Sequence, residues 1–280
     1  MAEFESKKSA LFAVHPLSLR AVFEEGFSDI DVFTRMVRDF TGVQIQIEKV
    51  ENEKAFLETV GNVKIEFDLF AEDKKNRLIV EAQHANYNHN FESFYYYHQI
   101  ATVETIKSSR DYSFPKTVYT LVFFTDRLSP AAGKNILVHD AQMRYIMDGE
   151  VVKQIFACKH RLFFIFTKDP EADTKIPKEC QEWIRAIHET LSGAIYLDQF
   201  QKPEIKTLFK RIAKDNTSPE LRAKMMLEYN QKDAIDVAIR NDRIETARKF
   251  IMLDIGLSNS HISSATGLSL LEIDALRKTL

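Results

Sequence analysis

The sequence predicts an α/β domain, a mixed central sheet flanked by helices, followed by an all-helical C-terminal region. Three observations predict it. Short alternating or continuously apolar segments recur between residues 43 and 169, with helical periodicity before them at 28–42 and among them at 91–109. From about residue 170 the pattern is helical to the end. A polar stretch with two prolines, "DPEADTKIPKE" (169–179), separates the two halves, so the expected organisation is 1–170 and 171–280.

The elements follow in order. "SDIDVFTRMVRDFTG" (28–42) carries Ile30, Phe33, Met36, Val37 and Phe40 at helical spacing, with Ser28 placed to cap it and Gly42 to end it. "VQIQIEKV" (43–50) alternates strictly, which predicts a strand with one wet face. Residues 62–71 and 77–84 read as two strands joined by a charged turn, and 91–109 as a long helix without breakers. "KTVYTLVFFTD" (116–126) is almost continuously apolar, as expected of a strand buried on both faces. Two more strands are expected at 149–157 and 160–169. Helices are then predicted at 178–198, 203–214, 218–229, 231–240 and 242–254, with short ones near 258–265 and 269–279.

Composition bounds the function. In 280 residues, 21 phenylalanines stand against one tryptophan, enough bulk to fill a sizeable core. The net charge of −3 gives no global basic field, so any nucleic acid must be held by local patches or by a metal. Cys158 and Cys180 have no metal-type spacing and form no disulfide framework, which fits a reduced, cytoplasmic compartment. The N-terminal residues lack the apolar core of a secretory signal. No apolar run approaches the ~20 residues that cross a bilayer, so a membrane is not an expected partner.

The segment "EFDLFAEDKKNRLIVEAQHANYN" (66–88) concentrates the chemistry. With "DKKN" (73–76) as the turn, pairing partners sum to 149, and Asp68 falls opposite Glu81. Two carboxylates ~5 Å apart repel by roughly 3 kcal/mol at an effective dielectric near 20. A cation, a shared proton or full solvation must offset that. Mg²⁺ or Mn²⁺ does so with one or two carboxylates, leaving positions for a phosphate oxygen and water. The alternative is a hairpin whose polar face simply meets solvent, and a single bulged residue would break the register.

An aspartate followed a dozen residues later by E-x-K or E-x-Q at the end of an apolar strand resembles the PD-(D/E)XK nuclease superfamily; here the pieces are "EFD" and "LIVEAQ". "RLIVEAQHANYNHNFESFYYYHQI", "ECQEWIRAIHET" and the C-terminal "ARKFIMLDIGLSNSHISSATGLSLLEIDALRKTL" resemble its recombination-promoting nuclease/transposase family in scattered form over most of the chain. Phe94 stands where that family has an arginine, "FIFTKD" replaces its E-L-P-K-F segment, and its D-x-x-F-K start is missing. The resemblance implies a restriction-endonuclease-like core. It implies Asp68 and Glu81 as metal ligands, joined by the backbone carbonyl of Ala82. Gln83 then stands where many relatives have lysine; having no titratable proton near neutrality, it orients water or phosphate rather than acting as a base. A helix-borne acid completes such sites, and Asp31, Glu24 and Glu25 are unranked candidates.

Further candidate nucleic-acid contacts are His84, Tyr87, His89, Tyr95 and Arg110, each with a bland reading as a loop or core residue. The last two helices have helix-turn-helix form, but the final one offers few base-reading side chains near its start, which favours a structural or protein-binding pair. The expectation is a metal-dependent DNA endonuclease, with homodimerisation to cut both strands. The rival is a noncatalytic interaction protein that keeps the scaffold.

Overall fold

A computed structural model describes residues 11–56, 65–83, 91–106, 113–152, 158–253 and 256–279. The elements are β1 (Leu11–Ala13), α1 (Arg20–Phe27), α2 (Ile30–Thr41), β2 (Glu51–Phe56), β3 (Ile65–Glu72), β4 (Asn76–Gln83), α3 (Phe91–Val103), β5 (Thr117–Phe124), β6 (Ile136–Asp140) and β7 (Arg161–Phe166). They continue with α4 (Lys178–Glu189), β8 (Ala194–Tyr196), α5 (Pro203–Arg211), α6 (Pro219–Met252), α7 (Asn259–Thr266) and α8 (Leu270–Thr279). The expected α/β class with a mixed sheet, flanking helices and a helical C-terminal region is what the chain adopts.

Six strands form one sheet in the order β2-β3-β4-β5-β7-β6. β2, β3 and β4 run antiparallel in sequence; β4 is parallel to β5 and β5 to β7, and β6 closes the edge antiparallel to β7. The central strands β4 and β5 are buried on both faces, which explains their nearly continuous apolar sequences. α3 covers one face, where Phe91 and Phe94 meet Phe124, Phe164 and Phe166. On the other face Phe23, Phe27 and Phe40 surround Phe123, and Trp183 of α4 packs against Phe27.

Polar anchors fix these helices. Trp183 Nε1 donates to Asp39 Oδ2 at 2.9 Å, tying α4 to α2. Where α1 meets α5, a Cβ on Gly26 would lie 2.5 Å from Leu208 Cδ1, so only hydrogen fits there.

The structure departs from the expected elements at several points. α2 is capped by Asp29, whose Oδ1 accepts from the N–H groups of Asp31 and Val32, not by Ser28. Residues 43–50 alternate in burial as predicted but join no strand ladder; Ile45 alone is fully inside, and the strand is β2, at 51–56. Of the strand expected at 149–157, residues 149–152 instead form the return leg of a small hairpin turning at Gly149 (φ 74°), while 153–157 lie outside the described residues. The strand neighbouring β7 is β6. The three helices expected between 218 and 254 are one, because no Gly or Pro interrupts 220–252 and the Asn and Asp residues there are too weak to break it.

The chain divides into two compact units, 1–222 and 223–280. The segment 171–280 is therefore shared between them, α4 and α5 belonging to the unit that holds the sheet. In the second unit, Ile262, Leu268 and Ile273 of the terminal helical pair gather around Ala247. Gly267 (φ 73°) makes the turn between α7 and α8.

Candidate functional site

The β3–β4 turn is built by Asp73, whose Oδ1 accepts from the backbone N–H groups of Lys75 and Asn76 at 2.7 Å each. That closure sets the predicted register: Glu72 pairs with Arg77, Ala71 with Leu78, Phe70 with Ile79 and Leu69 with Val80. The ladder stops one pair short of Asp68 and Glu81. Phe67 and Phe70 both pack in the cluster under α3 although they are three residues apart, so the alternation of β3 slips by one residue at Asp68 and Leu69. β2 slips in step at Glu53, which adopts a left-handed φ of 52° between the paired Asn52 and Lys54.

The slip turns Asp68 out of the expected cross-strand position and toward α1. Its Oδ2 accepts the Ala82 N–H at 2.8 Å, and its Oδ1 lies 2.7 Å from Arg20 Nε. Arg20 also donates to Glu24 Oε1 at 2.8 Å, one helical turn on, and reaches Glu66 Oε1 at 3.4 Å. Asp68 and Glu81 are each 5% exposed and Glu24 2%, so three carboxyls are withdrawn from water within one cluster. Glu81 hydrogen-bonds Asp68, yet its Oε1 is buried with no hydrogen-bond partner. Burial first, and the neighbouring Asp68 second, push the Glu81 pKa well above the usual carboxylate value. Burial alone would lower the Arg20 pKa, but Asp68 and then Glu24 outweigh it and raise it. The like-charge penalty anticipated for the hairpin is thus met here by the Arg20 guanidinium, and the raised Glu81 pKa eases it further by favouring the neutral acid.

The helix-borne acids separate clearly. Glu24 joins the cluster through Arg20. Glu25 pairs with Arg211 of α5 at 2.8 Å. Asp31 sits in the first turn of α2 and lines a different cleft of about 370 Å³ with Arg35, Arg38 and Glu204.

Gln83 ends β4, half-buried, and its carbonyl accepts the Thr125 N–H at 3.2 Å. Backbone groups alternate sides along a strand, so the peptide groups of Ala82 face β3, where its N–H meets Asp68. Tyr97 of α3 stacks edge-on to Phe67, and burial followed by the proximity of Glu81 raises its pKa. Tyr95 is 45% exposed, with its ring against His139. His84, Tyr87, His89 and Arg110 lie outside the described residues.

Among the described residues, no three His, Cys, Asp or Glu side chains converge as a ready-made metal site. The donors nonetheless suit a hard divalent cation, which needs only one or two carboxylates plus carbonyl and water oxygens. The buried, unpartnered Glu81 Oε1 beside Asp68 is such a donor. The residue that sequence reasoning missed is Arg20. Its only local signal is the i,i+4 spacing to Glu24, and its partner Asp68 is far along the chain. No protein-family model matches the chain, and no curated protein matches it. Among the described residues no helix is long and apolar enough to cross a membrane.

Proposed function

We propose that the chain is a metal-dependent endodeoxyribonuclease of the cytoplasm, acting on DNA as a homodimer, with Mg²⁺ or Mn²⁺ held by Asp68, Glu81 and the carbonyl of Ala82. The observation that carries this is the buried Glu81 oxygen without a hydrogen-bond partner, on an acid that also hydrogen-bonds the buried Asp68. The order helix, three antiparallel strands, helix, parallel strand (α1/α2, β2–β4, α3, β5) supports a restriction-endonuclease-like core around it. A bound divalent ion supplies Lewis acidity toward a phosphodiester and its attacking water.

The chain's own residues do the rest. The Ala82 N–H fixes the Asp68 carboxylate, and the β4–β5 ladder, in which Glu81 pairs with Val122, fixes Glu81. Gln83 orients the nucleophile or a phosphate oxygen without taking its proton. Tyr95, with the His84–His89 and Arg110 segments, supplies phosphate contacts.

A specific observation favours a second reading. Arg20 already supplies a cation to Asp68 at 2.7 Å, as a noncatalytic interaction protein on the same scaffold would need. Cleavage of supercoiled plasmid with Mg²⁺ or Mn²⁺, with EDTA and an Asp68→Ala/Glu81→Ala protein as controls, separates the two. Nicking that requires metal and disappears in the folded double variant supports the nuclease. Absence of cutting across metals and substrates supports the interaction protein.

A further inference from the structure

Arg20 sits where its guanidinium and a divalent cation would compete for the same oxygen. Its Nε is 2.7 Å from Asp68 Oδ1 and 2.8 Å from Glu24 Oε1, and its Nη2 is 3.4 Å from Glu66 Oε1. These contacts hold four acids around one positive charge, counting Glu81 through its hydrogen bond to Asp68. Asp68 Oδ2 accepts the Ala82 N–H, and Oδ1 is the oxygen that the Arg20 guanidinium engages. The Glu81 oxygen without a partner is buried in the same cluster. Unlike Asp68 and Glu24, the Arg20 side chain is 39% exposed, so it has a way out to solvent that the carboxyls lack.

We infer that Arg20 is a resident counter-cation that holds the acidic site together without metal, and that a divalent cation must displace it from Asp68 to bind. This rests on the metal-site reading above and adds a cost of entry to it. The Arg20 guanidinium balances part of the cluster's charge and fixes the acids in place. A divalent ion supplies twice the charge but cannot share Asp68 Oδ1 with an arginine still in contact, since the two cations would repel at close range. Arg20 is therefore a positioning residue. It keeps Asp68 and Glu24 oriented when metal is scarce and sets the concentration at which metal enters.

The test is Mn²⁺ binding by calorimetry to the metal-free full chain, for wild type, Arg20→Met, Arg20→Lys and Asp68→Asn, with melting curves in parallel. Arg20→Met is expected to bind Mn²⁺ at least tenfold more tightly than wild type. Its metal-free form should melt lower than wild type and recover when Mn²⁺ is added. Arg20→Lys should stay near wild-type affinity. A residue with a merely structural role would lower affinity or leave it unchanged, so equal or weaker binding by a folded Arg20→Met overturns the inference. If the methionine variant does not fold without metal, Arg20→Gln supplies the same comparison with a polar, uncharged side chain. Loss of binding in Asp68→Asn establishes the metal site independently of Arg20. A wild type that binds no Mn²⁺ overturns the metal-site reading itself, and the inference with it.

Discussion

Acid should loosen α3 from the sheet through one buried histidine. His98 is 2% exposed, its Nδ1 lies 2.9 Å from Thr120 Oγ1 of β5, and the His160 ring is 6.5 Å away. Burial first, then His160 and His139, lower its pKa from 6.5 to about 4. Its folded pKa is depressed, so between these values the unfolded chain binds a proton that the native protein refuses. Stability is then fully present above pH 6.5 and falls as pH drops toward 4, at about 1.4 kcal/mol per unit for this group. The expected loss is about 2 kcal/mol at pH 5 and about 3 kcal/mol at pH 4. Urea unfolding followed through Trp183, the single tryptophan and fully buried, reads this directly. A His98→Leu protein leaves the Thr120 hydroxyl without its partner, which lowers stability by a constant amount, but it removes this group's pH slope. Carboxylates away from His98 titrate in both proteins and cancel in the difference. Equal pH slopes for wild type and His98→Leu would refute the assignment. Tyr97, next along α3, lies near Glu81, so the same loosening should expose the acidic cluster.

Three further outcomes are expected. Gly26→Ala should destabilise by about 1–3 kcal/mol in urea melts, because its Cβ would meet Leu208 and Ile212, both fully buried. Trp183→Phe should cost about 1–3 kcal/mol, since it leaves the Asp39 carboxylate without its indole donor; unchanged stability would mean that Arg35, 3.1 Å from Asp39 Oδ1, and Lys202, 3.6 Å from its Oδ2, suffice together. Glu81→Gln should raise the melting temperature of the metal-free protein at neutral pH, because it replaces a buried acid whose ionisation burial and Asp68 both oppose, while abolishing Mn²⁺ binding; a lower melting temperature would contradict that account.

Much of the sheet was legible because its determinants are local. The DKKN turn names its own closure, since Asp73 binds the two N–H groups that follow, and the register to Leu69 and Val80 follows from counting. β5 was legible from its apolar run. α1 was not: "RAVFEEGF" is short, and Leu19 before it offers no side-chain cap. The slip at Asp68 was also illegible, because it depends on a left-handed residue, Glu53, in the neighbouring strand. Asp68 and Glu81 could be nominated from the sequence, but which helix residue joined them could not. Arg20 and Glu24 reach them only through the packing of α1 against β3 and β4, which no spacing encodes.

The start of α1 carries a kinetic consequence. Arg20 is the first residue of a helix whose N-cap, Leu19, lends its carbonyl to Phe23 and makes no side-chain cap hydrogen bond. The rest of that turn is held in the core, with Ala21, Val22 and Phe23 buried, while the Arg20 side chain is 39% exposed. Arg20 can therefore leave Asp68 by rotation of its own side chain while α1, β3 and β4 stay intact. The waiting time for ion exchange at the acids would then follow that side-chain rotation rather than the stability of the domain.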